Sequence, residues 1–246
     1  MAIVVTGGTK GIGLATAKAF AAKNVQLVLN YFSDDDAAHR AQAEVAALGA
    51  ECHLVKADVG LVEGCQRIIE TVRRVAEKID CVVHCAVDAY ATTTLAADPV
   101  RFTRAVNTNG LSLLYLVQAA LPLLDRGSTI FFLTSRGGRI VVPNYAAIGI
   151  GKALSESLVR YLAVELAPKG VRINCIAPSI VETDAVKTLF GDQAAELVHH
   201  AAATNPSGRG VKDADYTSLM KFLASPQAEF VTGQVIFVNG GANLAA

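Results

Sequence analysis

Ala2-Ile3-Val4-Val5-Thr6-Gly7-Gly8-Thr9-Lys10-Gly11-Ile12-Gly13 opens the chain, and an Ala-rich run over residues 14–22 follows it. An apolar strand runs into a glycine turn, and the turn runs into a helix. In that context the glycines carry a mechanism. They let the backbone approach a pyrophosphate, while the helix N-terminus presents free N–H groups and a partial positive charge. Gly7, Thr9, Lys10, Gly11, Ile12 and Gly13 are therefore candidate contacts of a dinucleotide. A tight turn that only packs a helix against a sheet would use the same glycines. Placement at the first strand–helix junction favours the ligand.

The alternation continues along the chain. Strands are expected at residues 25–31, 51–56, 81–85, 128–134, 171–176 and 234–238. Helices are expected at residues 34–48, 61–76, 101–124, 145–166, 184–204 and 212–224. A cap for the second helix lies among residues 33–35, and Pro206-Ser207-Gly208 ends the helical segment before it. Parallel strands joined by right-handed helical crossovers give an α/β, doubly wound (Rossmann) sheet of about seven strands with helices on both faces. No linker composition interrupts the pattern, so residues 1–246 read as a single dinucleotide-binding and catalytic domain. Residues 184–210 read as a segment covering the substrate.

Composition agrees. Hydrophobic residues make up 52% and charged residues 18%, which suits a sheet buried on both faces. Lys plus Arg and Asp plus Glu are 22 each, so no net field favours nucleic acid or an anionic membrane. No apolar run reaches the roughly 18 residues of a spanning helix. Residues 1–5 lack the charged region and cleavage site of a signal peptide. The five cysteines (52, 65, 81, 85 and 175) are scattered, and Cys81 and Cys85 have no second pair to complete a zinc site. They read as reduced core residues, and a cytoplasmic protein without a metal is expected. His84, His199 and His200 lack metal-ligand context and read as structural or exposed.

Within Asn144-Tyr145-Ala146-Ala147-Ile148-Gly149-Ile150-Gly151-Lys152, the Tyr and the Lys are seven apart. On a helix that spacing brings them within about 20° of one face. The cation would favour the phenolate, making Tyr145 a better proton donor to a developing oxyanion.

The glycine turn has the spacing T-G-x-x-x-G-x-G, which resembles the short-chain dehydrogenase/reductase family. The resemblance runs almost end to end. Asp58, followed by Val59, resembles the adenine-contacting Asp after the third strand. In His84-Cys85-Ala86-Val87, Ala86 matches the family's Asn-Asn-Ala-Gly and the other three residues do not. Asn109 matches the helix Asn, and Ser135 in Leu133-Thr134-Ser135 matches the active-site Ser. Pro178-Ser179-Ile180-Val181-Glu182-Thr183 resembles Pro-Gly-x-Val-x-Thr, with Ser in place of Gly. Thr232-Gly233-Gln234 and Val238-Asn239-Gly240-Gly241 resemble the C-terminal strand signature. The resemblance implies that Asn30, Asp58, Val59, Ala86, Lys152 and Thr183 join the glycine turn in holding a nicotinamide dinucleotide. Lys152 would hold the nicotinamide ribose hydroxyls, and Thr183 would orient the carboxamide. Tyr145, Lys152, Ser135 and Asn109 are the implied catalytic residues. A homodimer or homotetramer is expected on the same ground.

The second strand ends Leu29-Asn30-Tyr31-Phe32-Ser33, without the acid that would bond the ribose hydroxyls and repel a phosphate. Lys10 is similar to the basic residue of NADP-preferring relatives. Asp34, Asp35 and Asp36 oppose it. NADPH is the expected cofactor, with NADH as the alternative.

Most of the family carries Tyr-x-x-x-Lys. Four residues before Lys152 stands Ile148, which cannot donate a proton. The wider spacing here resembles the NADPH-dependent enoyl-acyl carrier protein reductases. A Tyr one turn upstream shifts its hydroxyl by roughly 4.5 Å along the axis. That suits an enoyl thioester, where hydride reaches the β-carbon and charge develops on the thioester oxygen several bonds away. The expected function is reduction of a 2-enoyl thioester, on acyl carrier protein or coenzyme A. Leu189, Phe190, Leu197 and Val198 are available to an acyl chain. Two alternatives stay open: a carbonyl or hydroxyl oxidoreductase (a 3-oxoacyl or secondary-metabolite ketoreductase) with a displaced Tyr, and a dinucleotide-binding protein without turnover.

Overall fold

A computed structural model describes residues 1–242. The elements in chain order are β1 (Ala2–Thr6), α1 (Gly11–Phe20), β2 (Gln26–Tyr31), α2 (Asp35–Ala46), β3 (Glu51–Lys56), α3 (Val62–Val75), β4 (Ile79–His84), α4 (Pro99–Val106), α5 (Ser112–Ala120), β5 (Leu124–Leu133), α6 (Ala146–Leu166), β6 (Arg172–Pro178), α7 (Asp184–Phe190), α8 (Ala194–Ala203), α9 (Asp213–Ala224) and β7 (Val235–Val238). The seven strands form one sheet in the order β3-β2-β1-β4-β5-β6-β7, and every pairing is parallel. This is the doubly wound fold expected from the alternation. The strand order reverses between β1 and β4, where such sheets open a crevice beyond their C-terminal ends.

Period-2 alternation on the strands builds two cores. From β1, Val4 faces α3, α5 and α6, where it joins Ile68, Leu116 and Val159. Ile3 and Val5 face the other way and join Phe20, Val45 and Met220 from α1, α2 and α9. Both faces of the sheet are therefore buried, which the apolar composition allows.

Three expected elements differ in detail, each for a local reason. The helix expected over residues 101–124 is divided into α4, a π-helical turn at Asn107–Leu111, α5 and a 3-10 turn at Leu121–Leu123. Pro122 lacks an N–H and cannot continue the α-helical ladder, so the chain enters β5 at Leu124 rather than at residue 128. The helix expected over 184–204 breaks at Gly191, whose φ is +53°. Tyr145, expected inside the long helix, is its N-cap with φ −104° and ψ 7°. The cap expected among residues 33–35 is Asp34, which accepts from the Ala37 N–H at 2.9 Å.

All five cysteines are free. Among the described residues no three His, Cys, Asp or Glu side chains come together to ligate a metal, and no helix is long and apolar enough to cross a membrane.

Candidate active site

A cleft of about 1450 Å³ opens at the C-terminal ends of the strands. It exceeds the usual range of single-ligand pockets, roughly 300–1,000 Å³. The glycine turn, Asn30, Asp58, Val59 and Ala86 line one part; Ser135, Tyr145, Lys152, Thr183, α7 and α8 line another. Every candidate cofactor contact named from the sequence borders this cleft. Three of the four candidate catalytic residues do as well.

The glycine turn is built for close approach. A Cβ at Gly13 would lie 2.2 Å from the Gly7 carbonyl oxygen, and one at Gly7 would lie 2.9 Å from the Ala86 Cα. Helix α1 starts without a side-chain cap, so its first N–H groups remain available to an anion. Asp58 accepts from the Gly60 N–H at 2.9 Å and stands 3.6 Å from Arg104. Asn30 has a second duty: its amide nitrogen donates to the carbonyls of Ala57 (2.9 Å), Val55 (3.2 Å) and Tyr31 (3.2 Å). That nitrogen ties β2 to β3 and is not free for a cofactor.

Lys10 pairs with Asp34 and, at 3.3 Å, with Asp184 at the start of α7. The Asp34 hydrogen bond raises the Lys10 pKa, and Lys10 holds the Asp34 carboxyl below its usual range. Thr183 packs close to Gly11 and caps α7 by accepting from the Val186 N–H at 3.3 Å. The glycine turn and the start of α7 are therefore in contact through Lys10–Asp184 and Gly11–Thr183.

Lys152 is 4% exposed. Its ammonium lies 4.5 Å from the centre of the Phe132 ring, and the protein offers it no hydrogen-bond acceptor or ion pair among the described residues. Burial pushes its pKa down to about 8. An unpaired buried cation is costly, and it borders the cleft. This observation fits a ligand with hydroxyl oxygens, as a nicotinamide ribose provides.

Tyr145 borders the cleft beside Ser135. Burial raises its phenol pKa, and the Ser135 hydroxyl, in contact with it, pulls the other way. Lys152 is not among the groups that shift the phenol. Burial wins, and Ser135 is the group that opposes it. A raised pKa keeps the phenol protonated at neutral pH, as a proton donor requires. The structure thus places Ser135 beside the phenol.

Asn109 stands apart from the other three. It is fully buried at the π-helical turn and does not line the cleft. The Asp88 N–H donates to its Oδ1 at 2.9 Å, and its Nδ2 donates to the carbonyls of Asp88 (3.0 Å) and Ala147 (3.4 Å). Both ends of the amide are occupied, so Asn109 fixes the loop after β4 rather than facing a substrate. Small residues allow this: a Cβ at Gly151 would lie 2.6 Å from the Asn109 Cβ.

His84 replaces the first Asn of the family pattern and is structural. It is buried, bonded through Nδ1 to the Thr6 hydroxyl and through Nε2 to the Ser112 hydroxyl at 2.7 Å. Ser112 donates to the Thr108 carbonyl, so it accepts from Nε2–H, and Nδ1 accepts from Thr6. Burial pushes the His84 pKa down to about 3, leaving it neutral. His200, read from the sequence as structural or exposed, borders the cleft from α8. Its i, i+3 spacing from Leu197, which borders the same cleft, was the available signal. Leu189 and Phe190 also border it, whereas Val198 lines a separate cavity of about 240 Å³.

Gly137 supports Tyr145. A Cβ there would lie 2.6 Å from two carbons of the phenol ring. Gly137→Ala is expected to lower kcat on the order of 100-fold, because the phenol hydroxyl would be displaced, with dinucleotide Kd unchanged. Steady-state kinetics beside a cofactor-fluorescence titration checks both.

The family model described as enoyl-(acyl carrier protein) reductase matches residues 7–243. The chain is 28% identical over 243 residues to 1-cyclohexenylcarbonyl-CoA reductase of Streptomyces collinus, covering 99% of this chain and 87% of that one. It is 34% identical over 168 residues to the enoyl-acyl-carrier-protein reductase (NADH) FabI of Synechocystis sp., covering 67% and 64%. The crystal structure of enoyl-acyl-carrier-protein reductase (NADH) from Aquifex aeolicus superposes with a TM-score of 0.88 at 28% identity, covering 100% of this chain and 97% of that one. The chain belongs to the enoyl-acyl carrier protein reductase family within the short-chain dehydrogenase/reductase superfamily, and it is a nicotinamide-dinucleotide oxidoreductase.

Proposed function

We propose that this family member is an NADPH-dependent enoyl thioester reductase. The observation that carries the reading is the placement of Tyr145 at the N-cap of α6, seven residues before the buried, unpaired Lys152. A bound reduced nicotinamide supplies a hydride. Lys152 would hold its ribose hydroxyls, and Thr183 would orient its carboxamide. Tyr145 donates a hydrogen bond to the thioester oxygen as negative charge develops there. Hydride at the β-carbon and one proton at the α-carbon, from Tyr145 or solvent, complete the saturated thioester. Leu189, Phe190 and Leu197 give the acyl chain an apolar wall.

The carrier is acyl carrier protein or coenzyme A. Two cations of the covering segment are already engaged: Lys187 stands 3.3 Å from Glu182, and Arg209 pairs with Asp215 at 2.6 Å. We place the enzyme in the cytoplasm as a homodimer or homotetramer. Tyr161 and Val164, 69% and 75% exposed on α6, supply apolar surface for such contacts.

One observation favours a second reading. Ser135 beside the Tyr145 phenol offers two hydroxyls to a single carbonyl oxygen, an arrangement that serves a 3-oxoacyl or other ketone substrate. Crotonyl and longer 2-enoyl thioesters assayed against matched 3-oxoacyl thioesters separate the two. Turnover of the enoyl set alone supports our reading, and turnover of the 3-oxo set alone overturns it.

For the cofactor, Lys10 is held at the edge of the cleft and supplies the charge for a 2′-phosphate, while Asp34 opposes it. Lys10→Ala is expected to lower kcat/KM for NADPH about ten-fold and to change that for NADH far less. An unmoved NADPH-to-NADH ratio would leave Lys10 with only its ion pairs.

A further inference from the structure

Tyr145 lies outside the regular helix, so helical geometry alone does not set its hydroxyl. The preceding turn does. The Tyr145 N–H donates to the Val142 carbonyl at 3.2 Å, closing a four-residue turn over Val142-Pro143-Asn144-Tyr145. Asn144 has φ +59°, in the left-handed region that L-residues with a Cβ avoid. Proline second and a left-handed residue third is the pattern of a type II turn. Asn is the side-chain-bearing residue that tolerates this backbone best.

The turn is held from one further side. The Thr92 N–H donates to the Asn144 carbonyl at 3.0 Å, and Thr92 bridges in parallel to Tyr145. Thr92 belongs to the loop that Asn109 fixes through Asp88. After the turn, the Tyr145 carbonyl accepts from the Ile148 and Gly149 N–H groups at 3.1 and 2.7 Å. Tyr145 is therefore fixed between a left-handed pivot and the first turn of α6. A strained backbone adjoining a reacting side chain points to a functional constraint.

We propose that Asn144 is a positioning residue whose left-handed backbone, clamped by Thr92, sets the Tyr145 hydroxyl for proton donation. The inference rests on Tyr145 being the donor and goes beyond it, because it assigns the wider Tyr–Lys spacing to a turn rather than to the helix. It makes backbone conformation, not the Asn amide, the requirement.

The test is a series, Asn144→Gly, Asn144→Asp and Asn144→Ala, beside Tyr145→Phe. Each is assayed with whichever acceptor class the unaltered enzyme reduces, so the series does not depend on the enoyl reading. Glycine accepts a left-handed backbone freely, so Asn144→Gly should keep kcat within about three-fold. Asn144→Ala should lower kcat about ten-fold, leave cofactor Kd unchanged and shift the pH profile of kcat as the phenol leaves Ser135. Asn144→Asp should fall between them, and it carries the comparison with Gly if the Ala variant does not fold. Equal kcat across the series, with Tyr145→Phe inactive, would overturn the positioning role alone. Loss in Asn144→Gly as deep as in Asn144→Ala would overturn the backbone argument and assign the effect to the amide. Full activity in Tyr145→Phe would instead remove the donor on which the inference rests.

Discussion

Tyr145→Phe is expected to lower kcat by about two to four orders of magnitude, the usual contribution of a positioned proton donor, while dinucleotide affinity stays within a few-fold. The phenol ring rests over Gly137, and Phe preserves that packing. Only the hydroxyl is removed, so in the proposed reaction the loss falls on the step in which the thioester oxygen acquires charge. Interactions made mainly in the transition state lower kcat and kcat/KM together when deleted. The raised pKa of the phenol sharpens the expectation. A donor kept protonated through neutral pH should show no acid requirement of its own there. Activity should decline only on the alkaline side as the phenol ionises. Rapid-mixing kinetics under saturating cofactor reads kcat without a contribution from binding. Unchanged turnover would remove Tyr145 as the donor.

Lys152→Met is expected to have opposite effects on stability and function. At neutral pH the buried Lys152 is charged with no ion-pair or hydrogen-bond partner among the described residues, and its pKa of about 8 lies below the ordinary 10.5. That difference corresponds to about 2–4 kcal/mol of lost stability in the cofactor-free protein. Between pH 8 and 10.5 the unfolded chain binds more protons than the folded one, so stability should rise with pH across that window. Lys152→Met keeps the length of the side chain and removes the charge. The cofactor-free variant should unfold at a higher temperature at pH 7 and lose the rise above pH 8. It should also bind the dinucleotide about ten- to a hundred-fold more weakly, having lost charged hydrogen bonds to the ribose, and turnover should fall with it. Calorimetry over pH 6–10, with and without cofactor, reads all of this. A less stable Lys152→Met protein with intact cofactor affinity would mean that the ammonium serves packing rather than the ligand. A site that costs stability to keep a group ready for a ligand is an ordinary trade-off.

Much of this was legible in the residues because the pattern and the chemistry agree. Strand, glycine turn and helix at residues 2–22 carry the fold, and the observed β1, α1 and strand order follow. Residue types announced a cap among residues 33–35, and Asp34 fills it. The Tyr145–Lys152 spacing pointed to the reacting end of the cleft. What could not be read depends on contacts between distant segments. Nothing in Asn109 itself reveals that its amide is spent on the Asp88 backbone 21 residues away. The depressed pKa of Lys152 comes from burial against Phe132 on another element. Tyr145 falls outside α6 because of a turn whose left-handed member, Asn144, is quiet in a propensity reading. The sequence set Asp34 against Lys10, but not Asp184, 174 positions along the chain, which also pairs with it. Local periodicity sets elements, and long-range burial sets their charges.

Hydride delivery to the β-carbon of an enoyl thioester is measured by one competition. Equimolar 2-enoyl and 3-oxoacyl thioesters of equal chain length are reduced with cofactor deuterated at the transferred position, and the products are read by mass spectrometry and NMR. The expected product is a saturated thioester with one deuterium on the β-carbon and a solvent-derived hydrogen on the α-carbon. A 3-hydroxyacyl thioester labelled at carbon 3, with the enoyl thioester untouched, would contradict it and give Ser135 and Tyr145 to a ketone.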